Sequence, residues 1–305
     1  MAEGEARMTQ GPTTICFIGF GEAGATLAGS IGSDPSRRFA AYDVKTEDAA
    51  TRGAMLARYQ RAGVAGGETL AEAMRGADLV ISLVTADRAL DAATMAAAHI
   101  APGALFVDGN SCAPDTKRAA AARIDAAGGA YVDMAIMAPI APKGRLTPAL
   151  LAGAQAARAQ AALTALGMAP AVAGAAVGDA SAVKMARSVM IKGIEALCAE
   201  CLLAARRAGV EEAVLASLEA SDPEVNWRAK ASYNLERMAV HGVRRAAEMR
   251  EVAKTVAALG LPPRMAEAIA DWQADIGALG LDGTRDGVAP QADRILARLA
   301  SRQPG

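Results

Sequence analysis

Lys184 lies in the stretch "GDASAVKMARSVMIKGIEAL", residues 178–197, where most neighbours are Ala, Val and Met. An ammonium on such an apolar packing surface is costly unless something requires it. A lysine held there loses solvation and its pKa falls, so that at neutral pH it can exchange protons in both directions. Oxidation of an alcohol needs such a group: a hydride leaves carbon while a positioned base takes the hydroxyl proton. The competing reading is a lysine that snorkels to solvent from an amphipathic helix.

A second chemical signal is "GFGEAG", a GxGxxG pattern at Gly19, Gly21 and Gly24 that encloses Glu22 and Ala23. It follows the apolar run "TTICFI", opens a helical pattern, and precedes Asp43 by roughly twenty residues, as in dinucleotide-binding turns. Gly19 permits the tight turn and Gly21 the approach of a pyrophosphate. Gly24 permits close packing of helix on strand, with helix N-terminal amides facing the phosphates. Asp43 is placed to accept hydrogen bonds from an adenosine ribose and to repel a 2'-phosphate, which favours NAD; Lys45, two residues on, leaves NADP open. The bland alternative is a flexible glycine turn.

Helical spacing adds candidates. Ser188 is one turn beyond Lys184, and Glu195 lies near the same stripe, about 16 Å along the axis. His241, Arg245 and Glu248 follow i, i+4, i+7, with Arg244 beside them. Together with Arg187 and Lys192, this face offers cations for an anionic substrate, and an arginine fork can hold a carboxylate bidentately. The alternative is a set of charges paired among themselves.

These residues need elements to hold them. Strand signals occur at 13–18, 38–43, 78–84, 105–110 and 130–137, with a weak one at 167–174, and Ala-rich helical segments lie between them. That alternation implies a parallel sheet covered on both faces. From about residue 178 the strand signals stop. One helix of about thirty residues is expected over 179–208, roughly 45 Å long, followed by helices broken at "SDPE", "LGLPP" and "LGLDG". The fold class is therefore α/β: an N-terminal Rossmann-type domain over 13–177, then an all-helical domain over 178–300 joined through the long helix. Residues 1–12 and 301–305 are expected to fray.

Composition narrows the class. The chain has 305 residues, suited to two domains. Hydrophobic residues make up 52%, yet no run reaches the roughly 18 to 20 apolar residues of a membrane span, and the polar start is unlike a secretory signal. A soluble, cytoplasmic protein is expected. A net charge of -1 and 3% aromatics give a nucleic acid neither electrostatic attraction nor stacking platforms. Cys198 and Cys201 form a CxxC spacing without a second ligand pair, so they and Cys16 read as buried small hydrophobes and no metal is expected.

Four segments in order, "IGFGEAG", "DLVISLV", "DGNSCAP" and "GDASAVKMARS", resemble the β-hydroxyacid dehydrogenases, which include 3-hydroxyisobutyrate and 6-phosphogluconate dehydrogenases. With "HGVRRAAEMREV", the chain is most similar to a phosphogluconate dehydrogenase-like branch of unassigned substrate. The resemblance implies that Lys184 is the general acid/base and that Asn110 and Ser111 contact substrate and nicotinamide, with Val84 and Thr85 at the cofactor. It also implies a homodimer with interlocking helical halves. Three departures from the family pattern stand out: Ser188 where Asn is usual, Ile191 where a glutamate follows in phosphogluconate dehydrogenases, and Met137-Ala138-Pro139 in place of a carboxylate-holding Ser-Gly-Gly turn. Proline lacks an N–H and Met137 a side-chain donor. The expected substrate is thus a hydroxy acid bulkier than 3-hydroxyisobutyrate, anchored by Arg245 with His241. The competing functions are an NAD(P)H-dependent reductase of the imine-reductase type, whose members typically lack this lysine, and a non-catalytic NAD-sensing protein.

Overall fold

The β-branched and apolar run at the start becomes β1, Thr14–Ile18, whose last four residues are buried. A computed structural model of the protein describes residues 11–301; the expected fraying of 1–12 and 301–305 falls almost wholly outside them. The strands continue as β2 (Arg38–Tyr42), β3 (Ala65–Gly66), β4 (Leu79–Ser82), β5 (Leu105–Asp108), β6 (Ala130–Ile136), β7 (Ala149–Ala152) and β8 (Ala171–Gly174). They form one sheet in the order β3-β2-β1-β4-β5-β6-β7-β8. The helices are α1 (Glu22–Ile31), α2 (Ala49–Arg61), α3 (Leu70–Met74), α4 (Ala89–Ala97), α5 (Pro114–Ala126), α6 (Ala156–Thr164), α7 (Asp179–Arg207), α8 (Glu211–Ser221), α9 (Trp227–Ala258), α10 (Arg264–Gly277) and α11 (Val288–Ala300).

The strand order reverses at β1, which pairs in parallel with both β2 and β4. This is the topological switch point at which open α/β sheets bind ligands, beyond the carboxyl ends of the strands. Two apolar clusters cover the sheet. One contains Phe17, Leu27, Ile81 and Val132, the other Ile18, Val80, Phe106 and Ile124. The alternation of neighbouring strand residues between the two clusters is the period-two geometry of a strand buried on both faces.

The wholly parallel sheet expected from the sequence needs one correction. "TPALLAG" supplies β7, which runs antiparallel to β6, with Ile136 opposite Ala149. A short return through residues 137–148 suffices for this pair, because antiparallel neighbours need no helical crossover.

The chain divides into two units, Met1–Met185 and Ala186–Gly305. The division falls inside α7 rather than before it, at 177/178, where the strand signals end. The second unit is helical. Its core gathers Leu202, Leu235, Met238, Ile276 and Ile295 from α7, α9, α10 and α11. Gly242 and Gly277 let α9 and α10 touch backbone to backbone, since a Cβ on Gly242 would lie 2.3 Å from the Gln273 carbonyl oxygen. Among the described residues, no helix is long and apolar enough to cross a membrane.

Candidate functional site

Beyond the end of β1 the backbone turns at Gly19, whose φ of 83° is a left-handed value that glycine adopts without strain. A Cβ there would also meet the Leu83 carbonyl oxygen at 2.5 Å. Gly24, in the first turn of α1, packs so closely that a Cβ would lie 2.5 Å from the Gly19 carbonyl oxygen. Gly21 differs: it precedes α1, and a Cβ there would meet nothing within 4 Å. Among the described residues no side chain caps the start of α1, so its leading N–H groups are of the kind that bind anions. A tight turn, a close helix and an open shelf at Gly21 fit a dinucleotide's pyrophosphate. Glu22 is exposed and Ala23 half-buried at this helix start.

Asp43 follows β2 and ties the turn together. Its Oδ2 accepts the Phe20 N–H at 2.8 Å and its Oδ1 the Lys45 N–H at 3.0 Å. Each oxygen retains a lone pair for a ribose hydroxyl. The Arg58 guanidinium donates to the Phe20 carbonyl at 3.3 Å, so the glycine turn is held by an acid and a base. Nothing in the sequence pattern had singled out Arg58.

The switch point also positions the loop after β5. Asn110 is buried, and its side chain serves the scaffold: Oδ1 accepts the Val84 N–H at 2.7 Å and Nδ2 donates to Ser82 Oγ at 3.0 Å. It thereby fixes Val84 and the exposed Thr85 beyond β4. Ser111, the next residue, is half-buried. Lys184 Nζ donates to Ser111 Oγ at 2.6 Å across 73 residues of sequence. The lysine itself is half-buried on α7, with Ala182, Val183 and Arg187 exposed around it.

Beneath this pair lies a charge cluster that the sequence did not disclose. Lys117, Asp108 and Asp133 have no solvent exposure. Lys117 Nζ donates to the Asp108 carbonyl at 2.6 Å and to its Oδ1 at 3.0 Å, and lies 3.4 Å from Asp133 Oδ1. Burial alone would lower the Lys117 pKa, but the facing Asp108 and Asp133 carboxylates outweigh it and hold the ammonium above the ordinary lysine range. Tyr131 OH donates to Asp108 Oδ2 at 2.6 Å.

In the helical unit the expected cationic face is largely paired internally. Arg245 is 7% exposed, and its guanidinium grips Glu195 through two hydrogen bonds. Gln273 adds a third to Glu195 at 2.8 Å. The expectation that Arg245 receives the substrate anion therefore needs correction: Glu195, fifty residues away in sequence, already occupies its fork. Lys192 Nζ lies 3.0 Å from Glu248 and donates to Ser188 Oγ at 3.3 Å. Its pKa is lowered, chiefly by burial and further by Arg245, against the pull of Glu248. Arg244 also pairs with Glu248. His241 is half-buried and Arg187 exposed.

The cysteine reading also divides. Cys16 is buried, its thiol pushed up to about 12 by desolvation, and Cys198 is buried beside Asn234 Nδ2 at 3.2 Å. Cys201, one turn along α7 from Cys198, is exposed rather than buried. Among the described residues, no group of acids, histidines and cysteines is placed to hold a metal.

Residues 14–178 match the NAD binding domain of 6-phosphogluconate dehydrogenase, and 205–276 match a domain of unknown function, DUF1932. A conserved hypothetical protein from Sinorhizobium meliloti 1021 is 41% identical in its crystal structure, with a TM-score of 0.71, 94% of this chain covered and 96% of that one. Conserved protein MTH1747, of unknown function and described as structurally similar to 3-hydroxyacid dehydrogenases, is 33% identical, with a TM-score of 0.63, 88% of this chain covered and 99% of that one. The 3-hydroxyisobutyrate dehydrogenase of Mycobacterium tuberculosis, solved with L-serine, shares the fold at 18% identity, with a TM-score of 0.71 and coverage of 93% and 98%. The chain belongs to the family built on the NAD-binding domain of 6-phosphogluconate dehydrogenase, within the β-hydroxyacid dehydrogenase superfamily.

Proposed function

We propose that the protein is an NAD(P)-dependent dehydrogenase that oxidises the hydroxyl of a β-hydroxy acid, with Lys184 as its general acid/base. The contact between Lys184 Nζ and Ser111 Oγ at 2.6 Å carries this reading. It sets the lysine nitrogen beside a hydroxyl on the loop that leaves β5, two strands from the switch point at β1, where a substrate hydroxyl can join the same hydrogen-bonded pair. A bound nicotinamide would take up the hydride that leaves the carbinol carbon. The protein's share is to hold the dinucleotide at Gly19, Gly21, Gly24 and Asp43, to fix the backbone at Val84 through Asn110, and to receive the hydroxyl proton on Lys184 Nζ. Loss of a hydride and a proton leaves a carbonyl product. General acid/base assistance of this kind contributes roughly two to four orders of magnitude to rate.

Substrate choice turns on Met137. Its N–H donates to the Pro148 carbonyl at 2.8 Å, so the first position of the turn that cradles a carboxylate in hydroxyisobutyrate-type relatives is engaged in closing the 137–148 loop. Pro139 brings no N–H. The substrate anion then needs another cation. Arg187 is exposed one turn beyond Lys184 on α7 and is the cation proposed for that role, and the reading remains that of a hydroxy acid bulkier than 3-hydroxyisobutyrate. Asp43 favours NAD over NADP. A homodimer fits the apolar side chains at the surface of the helical unit, such as Met190, Leu197, Val243 and Leu259, which association would remove from water.

A panel of β-hydroxy acids and sugar acids, assayed for reduction of NAD and NADP, tests the proposal. Turnover of a bulky hydroxy acid, with 3-hydroxyisobutyrate a poor substrate and Arg187→Ala raising the Michaelis constant for the acid but not for the cofactor, is expected. Dinucleotide binding without turnover of any panel member would favour a sensing protein instead.

A further inference from the structure

Lys117 has a place in the fold that packing alone does not explain. It sits on α5, in "DTKRAAAARIDAAG", yet its side chain is turned inward to full burial under the Ser111 loop. Two carboxylates, Asp108 at the end of β5 and Asp133 on β6, face it. Each carboxylate has a second task. Asp108 Oδ1 accepts the N–H of Asn110 at 2.9 Å and so shapes the loop that presents Ser111. Asp133 Oδ2 accepts the N–H groups of Gly178 at 3.2 Å and Ser181 at 2.9 Å, which caps α7 from across the sheet. Lys184 is one turn beyond Ser181.

The ammonium therefore stands between the two segments whose side chains meet at 2.6 Å. One ion with two carboxylates leaves a formal excess of negative charge at a site with no solvent exposure. The amide dipoles at the start of α7 and the Tyr131 hydroxyl supply the compensation. Asp133 Oδ1 meets the ammonium only as an ion pair at 3.4 Å, without a hydrogen bond, so the cluster is held on this side by charge and on the other by the hydrogen bonds to Asp108. Cys112, also buried, is a further titratable group near the ammonium.

We propose that Lys117 is a positioning residue: by bridging Asp108 and Asp133 it couples the Asn110–Ser111 loop to the first turn of α7 and so sets the distance between Lys184 and Ser111. The proposal rests on the reading of Lys184 as the acid/base and adds to it the device that aims the lysine.

Hydrogen exchange read by mass spectrometry on the full-length protein tests this without any substrate, so its result is independent of whether Lys184→Ala loses turnover. In Lys117→Met, amides in 109–113 and 178–185 are expected to exchange about tenfold faster or more, the worth of lost hydrogen bonds to a charge, while 38–66 stays unchanged. Lys117→Arg should restore part of the protection. If Lys117→Met does not fold, Asp133→Asn decides the matter. It keeps an amide oxygen for the helix N–H groups and leaves Lys117 and Asp108 as a balanced pair. Faster exchange at 109–113, on the Asp108 side of the ammonium, supports coupling through Lys117. Faster exchange confined to 178–185, no change in either segment, or equal acceleration across the whole sheet would overturn it.

Discussion

Both units bury charge, but they do it differently. In the sheet unit, Asp108, Asp133 and Lys117 hold backbone amides and carbonyls at the ends of a loop and a helix. In the helical unit, Glu195–Arg245 and Lys192–Glu248 join side chain to side chain between α7 and α9. The first arrangement orders the backbone that carries the candidate chemistry. The second fastens two helices. Buried charge by itself therefore does not mark a catalytic site; what its partners are attached to separates the two cases.

The largest effect that would sharpen this contrast is on stability. Arg245→Met leaves Glu195 buried without its guanidinium partner, and should cost about 3–5 kcal/mol in denaturant unfolding. The double change with Glu195→Met should recover most of that, since a pair replaced by apolar residues is roughly neutral. A cost below about 1 kcal/mol for the single change would show that Arg245 is only loosely engaged and reopen its role as an anion receptor.

The glycine turn should respond in the opposite way, through binding rather than fastening. Gly24→Ala forces a methyl to 2.5 Å from a backbone oxygen, and should destabilise by about 1–3 kcal/mol. Gly21→Ala meets open space and should change stability by less than about 0.5 kcal/mol while weakening NAD binding, as read by calorimetry. Equal melting shifts for the two variants would contradict the assignment of Gly21 to the ligand.

The smallest expected effect concerns Lys192. Its folded pKa lies below the unfolded value because burial disfavours the ammonium. Between the lowered pKa and the ordinary lysine value of about 10.4, the unfolded chain binds more protons, so stability contributed by this group rises with pH across that window. Below the window the group charges in both states and the penalty is constant. Lys192→Met should flatten the rise relative to wild type, and because Glu248 keeps Arg244, it should cost less than Arg245→Met. A wild-type rise retained in the variant would assign it to other groups.

The glycine turn and the Rossmann order were legible because each is a local spacing: glycines two and three apart, strands alternating with helices; Lys184 stood out as a candidate by the same kind of signal, a lysine in an apolar run. The Lys117 cluster was not, because its members come from separate segments at 108, 117, 131–133 and 178–181, and "DTKRAAAARIDAAG" reads as a helix with a solvated lysine. Arg245 misled for the same reason: the i, i+4, i+7 pattern showed a cationic face, while Glu195, which neutralises it, lies on another helix. β7 escaped because four residues after a proline give too short an alternation to separate from a loop. Asn110 was expected to contact substrate and nicotinamide, whereas its bonds to Val84 and Ser82 depend on strand order, which periodicity does not reveal.

Lys184 is proposed to move the substrate proton. With the best hydroxy acid of the panel, Lys184→Ala should lower kcat by about two to four orders of magnitude, while the dissociation constant for NAD stays within about twofold of wild type. Retention of more than about a tenth of wild-type kcat would contradict it.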